Sequence, residues 1–240
     1  SVTLGQPPRL MHRGREVTPL TVFPPDDRRV YHDPSYPWGC VCRVIDPTRN
    51  KAGSGVIVGP RHVLTASHCI NWSDVNVTVE VLRYITGASA TTSATSVWRY
   101  TEITTDPFPY SEVDEDYAVI VTADRIGDWF GSLGCRTYDS GWDGDRVWHN
   151  IGYPGDFGGL VPTWQGNVSL DEHEWDYGPA RAMSTTADLA KGNSGGPMFG
   201  FWGDGPYVVA VVSADRPDEN FCAGGSWLTQ LVNIARDNDP

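Results

Sequence analysis

The 240-residue sequence is short of basic residues, with 18 Lys and Arg against 30 Asp and Glu and a formal charge of −12. Nucleic acids are bound by clustered Lys and Arg, and here these residues are scattered, so we expect no nucleic-acid partner. Long hydrophobic runs are also missing. No stretch approaches the ~18 apolar residues that a membrane span requires, and we expect no membrane partner.

Helical periodicity is scarce, and short apolar runs broken by Gly and Pro take its place. Val75, Val77, Val79 and Val81 alternate strictly, which predicts a half-buried strand. The continuous apolar run 117–121 predicts a strand buried on both faces. Further strands are predicted at 41–45, 56–58, 63–66, 147–153, 160–164, 197–201 and 207–213. The sequence therefore predicts an all-β protein.

One helix is predicted, at the end of the chain, where Leu228, Leu231, Val232 and Ala235 share one face. Residues 1–30 are rich in Pro and charge and predict an extended strap. We expect a first β unit over 31–126, a connection over 127–145 and a second β unit with the helix over 146–240. A hydrophobic fraction of 40% supports a large core and excludes intrinsic disorder.

Sulfur is sparse, with 3 Met and 5 Cys. Five Cys are too few for a disulfide scaffold, and the odd number leaves one thiol unpaired or paired between chains. Cys40 and Cys42 lack the Cys-x2-Cys spacing of a zinc site, so we expect no metal, and we expect no cofactor.

Three Asn-x-Ser/Thr sequons predict glycosylation at Asn71, Asn76 and Asn167. They favour a secreted, extracellular protein, and we expect a monomer. Ser1 begins no signal peptide, which suggests a processed form.

Three strings place a reactive side chain among small or apolar residues: Leu64-Thr65-Ala66-Ser67-His68-Cys69, Asp114-Glu115-Asp116-Tyr117-Ala118-Val119-Ile120 and Lys191-Gly192-Asn193-Ser194-Gly195-Gly196-Pro197. A serine hydroxyl becomes a good nucleophile when an imidazole takes its proton, and a buried carboxylate then orients the imidazole. His68, Asp116 and Ser194 follow one another in that order, 48 and 78 residues apart. Asp114 and Glu115 are the alternatives for the carboxylate.

These strings, spread over 60–200, resemble those of chymotrypsin-like serine endopeptidases, whose His, Asp and Ser have this chain order. Asp26-Asp27-Arg28, Ser35-Tyr36-Pro37, Gly59-Pro60-Arg61 and Gly152-Tyr153-Pro154-Gly155-Asp156 are similar to the secreted glutamyl-endopeptidase branch, over roughly 22–200. The resemblance implies two packed six-stranded antiparallel β-barrels with protein or peptide substrates. It also implies an oxyanion hole formed by the N–H groups of Gly192 and Ser194.

The sequence departs from the trypsin pattern at Asn193. Trypsins carry Asp at that place, where it holds a newly freed N-terminal ammonium. Because the carboxylate is missing here, we expect that maturation by burial of a new N-terminus beside Ser194 does not apply.

The substrate pocket implied by the resemblance is formed by Asp188, Leu189, Val212, Ser213, Ala214, Asp215 and Gly225. Trypsins and glutamyl endopeptidases both carry Asp at the place of Asp188. Glutamyl endopeptidases add Thr or Ser at the place of Leu189 and His at the place of Val212, to bind the substrate carboxylate. Their loss disfavours Glu as substrate side chain, and Asp215 could favour a basic one. Apolar and basic substrate side chains stay open, with apolar or broad specificity favoured.

Relatives in the family pair the Cys after the His with a Cys that Gly53 replaces here. The resemblance therefore leaves Cys69 to pair with Cys42 or Cys40, with Cys135 the next choice and Cys222 the free thiol. The function expected is a secreted serine endopeptidase acting through an acyl-enzyme. The alternative is a catalytically silent relative that binds a protein or glycan.

Overall fold

The computed structural model describes residues 1–3, 5–8, 22–23, 25–172, 178–216 and 219–240. The all-β prediction is confirmed, because two antiparallel sheets dominate the described chain. Half of the predicted strap, namely residues 4, 9–21 and 24, lies outside the described residues. The strap's described end forms a short strand β1 (Arg29–Val30), which pairs with the second sheet.

The first β unit is a closed barrel of six antiparallel strands. The strands are β2 (Val41–Asp46), β3 (Lys51–Ile57), β4 (His62–Thr65), β5 (Thr78–Val81), β6 (Ala90–Arg99) and β7 (Ala118–Thr122). Their order around the barrel is β2, β3, β4, β7, β6 and β5. Strands β4 and β7 are buried along their whole length and pair with Leu64 opposite Val119. In β4 the side chains of His62 and Thr65 are buried as well, and they bond to the backbone carbonyls of Ala235 and Ser54.

One barrel strand starts later than the alternating valines predicted. β5 begins at Thr78, and Val75 is 46% exposed before it. The chain forms a turn there, with the N–H of Asp74 donating to the carbonyl of Asn71. Within β5 the pattern holds, because Val79 and Val81 are both buried.

The second β unit differs from the six-stranded barrel that the resemblance implied, since it is a curled nine-stranded sheet. In addition to β1, its strands are β8 (Gly134–Cys135), β9 (Trp148–Gly152), β10 (Thr163–Val168), β11 (Leu170–Glu172), β12 (Ala180–Thr185), β13 (Pro197–Trp202), β14 (Gly205–Arg216) and β15 (Glu219–Gly225). The order is β1, β10, β9, β13, β14, β15, β12 and β11, with β8 parallel to β14. The sheet gains strands because β1 and β8 come from segments predicted to be strap and connection.

Two α-helices occur in the described chain. The predicted one is α2 (Ser226–Asn238), whose buried residues are the four apolar ones on its predicted face. It packs on β15 and also on β4 and β7, so it bridges the two β units. A helix of five residues, α1 (Ile126–Phe130), lies at the start of the predicted connection and was not expected. Short 3-10 turns occur at Trp38–Cys40, Ser67–Cys69, Tyr110–Glu115, Ser140–Trp142 and Gly155–Phe157.

The larger of two buried apolar clusters that join the two units extends across their junction. It contains Val56 and Leu64 of the barrel together with Ile151 and Phe199 of the second sheet. Burial of this kind contributes about 25 cal/mol for each Å² of apolar surface. The two units therefore pack as one body, and the loops that meet at their junction are held in fixed positions.

Candidate active site

His68 and Asp116 are brought together by the pairing of β4 with β7. His68 lies in the 3-10 turn that follows β4, and Asp116 lies just before β7. Because Thr65 pairs with Ala118, the end of one strand meets the start of the other. The Nδ1 atom of His68 lies 2.6 Å from Oδ2 of Asp116.

The carboxylate of Asp116 is fully buried and has three hydrogen-bond donors. The backbone N–H of His68 donates to Oδ1 at 2.9 Å, and the hydroxyl of Ser213 donates to Oδ2 at 2.6 Å. Burial disfavours the charged imidazole, but the neighbouring Asp116 charge outweighs it and raises the pKa of His68 well above its usual 6.5. The contact also fixes Nδ1 toward Asp116 and leaves Nε2 for the cleft.

Ser194 comes from the loop between β12 and β13 in the second unit. Ser54 of β3 ties this loop to the barrel, because its N–H donates to the carbonyl of Ser194 at 2.7 Å. The Ser54 hydroxyl donates to the carbonyl of Gly192 at 2.6 Å and accepts the N–H of Tyr153 at 2.8 Å. Sequence reasoning missed this role of Ser54, although the Gly-Ser-Gly string at 53–55 marks a close approach of backbone.

Two glycines fix the shape of the loop. Gly192 has φ of +101°, and a Cβ there would lie 2.4 Å from the carbonyl oxygen of Tyr153. Gly195 has φ of +82°, and a Cβ there would lie 2.3 Å from the carbonyl oxygen of Ser54. A side chain at Gly192 would therefore force the loop away from Tyr153, and a side chain at Gly195 would force it away from the barrel.

The backbone N–H groups of Gly192 and Ser194 have no hydrogen-bond acceptor among the described residues. The carbonyl of Lys191 accepts the N–H of Gly155 at 2.7 Å. Since a trans peptide points its C=O and N–H in opposite directions, this contact turns the N–H of Gly192 away from Gly155. Buried or half-buried N–H groups usually have a hydrogen-bond acceptor. Because these two N–H groups have none in the described chain, they are available to an acceptor on a ligand.

His68, Gly192 and Ser194 all line one cleft of about 450 Å³. In the described chain the hydroxyl of Ser194 makes no hydrogen bond to His68, whose Nε2 has the Cys69 sulfur at 3.9 Å. Hydrogen bonds between a catalytic hydroxyl and its base are commonly long or poorly aligned before substrate is bound. The cleft also contains Lys51, whose ammonium pairs with Asp106 at 3.0 Å.

Five of the predicted pocket residues line this cleft: Leu189, Val212, Ser213, Ala214 and Asp215. Leu189 and Val212 are almost fully buried and belong to the same apolar cluster as Met183 and Cys222. Ser213 also holds Asp116 from the second unit, a role that the sequence did not indicate.

Asp188 does not line the cleft, which corrects the expectation. It is 2% exposed, and its carboxylate accepts the N–H of Phe23 at 2.7 Å and Nε2 of Gln165 at 2.9 Å. The N–H of Asp27 is a third donor at 3.4 Å. Burial outweighs these bonds and raises the pKa of Asp188 to about 6. The end of the strap and Gln165 thus enclose the carboxylate that the resemblance had assigned to the substrate pocket.

Gly225 is also outside the cleft. It ends β15 and caps α2 with φ of +92°, and a Cβ there would lie 2.4 Å from the carbonyl oxygen of Pro179. Its role is to let β15 turn into the helix.

The disulfide predictions are wrong, because all five cysteines are free. The sulfur of Cys69 approaches the carbonyl of Ser194 at 3.6 Å, while those of Cys40 and Cys42 face the carbonyls of Phe130 and Cys40. A Cβ placed on Gly53 would lie 2.6 Å from the Cys69 sulfur. Cys69 therefore faces the place of its usual partner, which here is a glycine.

Asn193 is fully buried and its amide is used within the second unit. Its Oδ1 accepts the N–H of Ala190 at 3.1 Å, and its Nδ2 donates to Asn150 at 3.4 Å. The side chain therefore holds the Ser194 loop through neutral hydrogen bonds, and the expectation about maturation stays a prediction.

The remaining features of the described chain bear on metal binding, membrane spanning and glycosylation. No group of three or more His, Cys, Asp or Glu within the described ranges has an arrangement that could hold a metal ion. In the same ranges, no helix has the length and hydropathy needed to cross a membrane. Asn76 and Asn167 are exposed and Asn71 is half-exposed.

The fold is that of the chymotrypsin-like serine proteases, with a buried His–Asp pair and a serine loop at the junction of two β units. The chain belongs to the trypsin-like peptidase family, since the family's trypsin-like peptidase domain matches residues 53–204. No curated protein matches the sequence.

Solved structures with this fold include a Glu endopeptidase in complex with MPD, 20% identical, covering 90% of this chain and 100% of the other, with a TM-score of 0.73. The protease Anisep from Arthrobacter nicotinovorans is 17% identical, covering 88% and 99%, with a TM-score of 0.67. Human heparin binding protein is 13% identical, covering 89% and 97%, with a TM-score of 0.67. At these identities the likeness concerns the fold alone.

Proposed function

We propose that the protein is a serine endopeptidase that cleaves peptide bonds through an acyl-enzyme. The observation that carries the proposal is the pair formed by the His68 imidazole and the buried Asp116 carboxylate, which faces the same cleft as Ser194. A fully buried carboxylate held by three donors is costly to maintain unless it is paired, and here it serves to orient one imidazole.

Ser194 attacks the scissile carbonyl, and Nε2 of His68 takes the hydroxyl proton and later gives it to the leaving amine. Asp116 holds His68 in the required tautomer and stabilises the imidazolium. The N–H groups of Gly192 and Ser194 stabilise the oxyanion, a contribution of about 3–4 kcal/mol for each donor. Water then releases the acyl group by the same steps in reverse order.

The competing function is a catalytically silent relative that binds a protein or glycan, and one structural neighbour is named for heparin binding. Two features favour the enzyme. The His68–Asp116 contact is intact, and two backbone N–H groups beside Ser194 are without an acceptor in the described chain. Binding alone requires neither feature.

The substrate side chain that fits the cleft is apolar. Leu189 and Val212 supply apolar walls, and the carboxylate of Asp188 is enclosed by the strap and Gln165. A basic side chain would find no buried carboxylate at the pocket wall, and a Glu side chain would find no hydroxyl or imidazole at residues 189 and 212. Against the apolar wall of Leu189 and Val212 both charged side chains would lose solvation, and the exposed carboxylate of Asp215, which also lines the cleft, makes a basic side chain the alternative.

Digestion of a mixed peptide library, with the products sequenced, tests both parts of the proposal. We expect internal cleavage after apolar residues, no cleavage by Ser194→Ala, and an unchanged preference in Asp188→Asn because that carboxylate faces the strap. Absence of cleavage by the wild-type protein contradicts the endopeptidase. Cleavage after Lys or Arg that disappears in Asp188→Asn contradicts only the apolar pocket.

Secretion and glycosylation at Asn71, Asn76 and Asn167 belong to the proposal and rest on the sequons and their accessible side chains. A fall in mass on treatment of the naturally produced protein with a peptide N-glycosidase is the expected result, and an unchanged mass removes the glycosylation.

A further inference from the structure

A buried ion pair connects the strap to a turn that contacts the loop carrying the Gly192 N–H. Arg28 is 4% exposed, and its guanidinium donates two hydrogen bonds to Asp156, from Nη1 to Oδ1 at 3.2 Å and from Nη2 to Oδ2 at 2.5 Å. Its carbon Cζ lies 4.9 Å from the centre of the Phe157 ring. Arg28 therefore contacts two neighbouring side chains of the 3-10 turn Gly155–Phe157.

That turn is in direct contact with the proposed oxyanion loop. The N–H of Gly155 donates to the carbonyl of Lys191 at 2.7 Å, and this contact orients the peptide that bears the Gly192 N–H. The turn closes on itself, with the N–H of Gly158 donating to the carbonyl of Gly155 at 2.8 Å. A displacement of the turn would thus be passed to the peptide between Lys191 and Gly192.

From these contacts we propose that Arg28 and Asp156 are positioning residues for the oxyanion hole: their ion pair holds the turn that orients the Gly192 N–H. Neither residue touches the substrate. The inference rests on the proposed function, since an oxyanion hole matters only if Ser194 acts on a carbonyl.

The chemistry of the loop explains why such a support is needed. Asn193 is neutral and cannot form an ion pair beside Ser194, and its amide is bonded to Ala190 and Asn150. The loop therefore lacks a charge pair of its own. A guanidinium that grips a carboxylate with two parallel bonds fixes both orientation and distance, and when buried it is costly to break. The strap supplies this pair from outside the loop.

The test compares Asp156→Asn with Asp26→Asn. Both carboxylates bind Arg28, with Nε of Arg28 donating to Asp26 Oδ1 at 3.1 Å, but only Asp156 belongs to the turn. We expect kcat for a peptide substrate to fall about 10- to 100-fold in Asp156→Asn with KM within about twofold, since displacing a catalytic group by about 1 Å can cost 10²-fold. In Asp26→Asn we expect kcat within about threefold of wild type, although Tm falls in both variants.

Equal losses of kcat in the two variants, or an Asp156→Asn protein with wild-type kcat and a lowered Tm, would overturn the inference. If Asp156→Asn does not fold, Arg28→Lys is the second variant, because it keeps the buried positive charge but cannot form the bidentate pair with Asp156. We again expect kcat to fall with little change in KM. Wild-type kcat in a folded Arg28→Lys protein counts against the inference.

Amide hydrogen exchange of the peptide spanning 153–160 provides a readout without activity. We expect faster exchange in Asp156→Asn than in Asp26→Asn, and equal rates contradict the positioning of the turn. If the wild-type protein cleaves no peptide, the endopeptidase fails whatever these rates are.

Discussion

At the residue scale, the site depends on how charge is compensated around Asp116. This carboxylate has no exposed surface, and its hydrogen-bond donors come from His68 and Ser213. The same contact stabilises the protonated imidazole and raises the pKa of His68. A base of this kind is neutral only above its raised pKa, so the proposed activity must increase with pH through that value.

The first prediction concerns the pH dependence of kcat/KM. We expect the acid limb of the wild-type profile to have a midpoint above 6.5, since His68 must lose its proton before it can act. Asp116→Asn removes the charge that raises this pKa and also disfavours the required tautomer, so kcat should fall by about 10⁴-fold near neutral pH. Steady-state kinetics between pH 4 and pH 9 measure both effects.

Asp114→Asn is the matched control, because it removes a neighbouring charge two positions away. Its kcat should stay within about threefold of wild type. A large loss of kcat in Asp114→Asn, with wild-type kinetics in Asp116→Asn, would show that the catalytic carboxylate is Asp114 and not Asp116.

Residues in short strings could be placed from sequence, and residues defined by packing could not. His68, Asp116 and Ser194 each stand in a recognisable string, and the structure puts His68 and the Ser194 loop around one cleft, with Asp116 buried behind His68. The enclosure of Asp188 depends on the strap, more than 160 residues earlier in the chain, and on Gln165. No local pattern predicts that contact.

At the element scale, β3 and the 3-10 turn after β4 meet where relatives of this family have a disulfide. Gly53 faces Cys69, and a Cβ on Gly53 would lie 2.6 Å from its sulfur and 3.0 Å from the carbonyl oxygen of Ser194. The periodic valines predicted the strands of this barrel well, since burial on one face follows from alternation. They did not predict the strands added by the strap and connection, which form only because the second sheet offers an edge.

The second prediction follows from this contact. Gly53→Cys should form a disulfide with Cys69 under oxidising conditions, closing a segment of about 16 residues and raising the free energy of unfolding by about 3 kcal/mol. Denaturant unfolding of the oxidised and reduced protein measures the difference. Gly53→Ser is the control for crowding by a side chain of similar size. Six free thiols in oxidised Gly53→Cys, with no gain in stability, would show that the two positions cannot be joined.

At the scale of the whole molecule, the site belongs to neither β unit alone. His68 and Asp116 come from the barrel, Ser194 and Ser213 come from the second sheet, and Ser54 ties the Ser194 loop to β3. The net charge of −12 arises because 30 Asp and Glu outnumber 18 Lys and Arg. Two of these acidic residues, Asp116 and Asp188, are buried, and their carboxylates accept hydrogen bonds from other groups of the protein.

The measurement that tests the account most directly is labelling of the native protein with a fluorophosphonate at neutral pH, followed by mass spectrometry of the digested chain. We predict one adduct per chain, on Ser194, with labelling abolished by heat unfolding and strongly slowed in His68→Ala. A native wild-type protein that stays unlabelled, or one labelled at a serine other than Ser194, would contradict the assignment of Ser194 as the nucleophile.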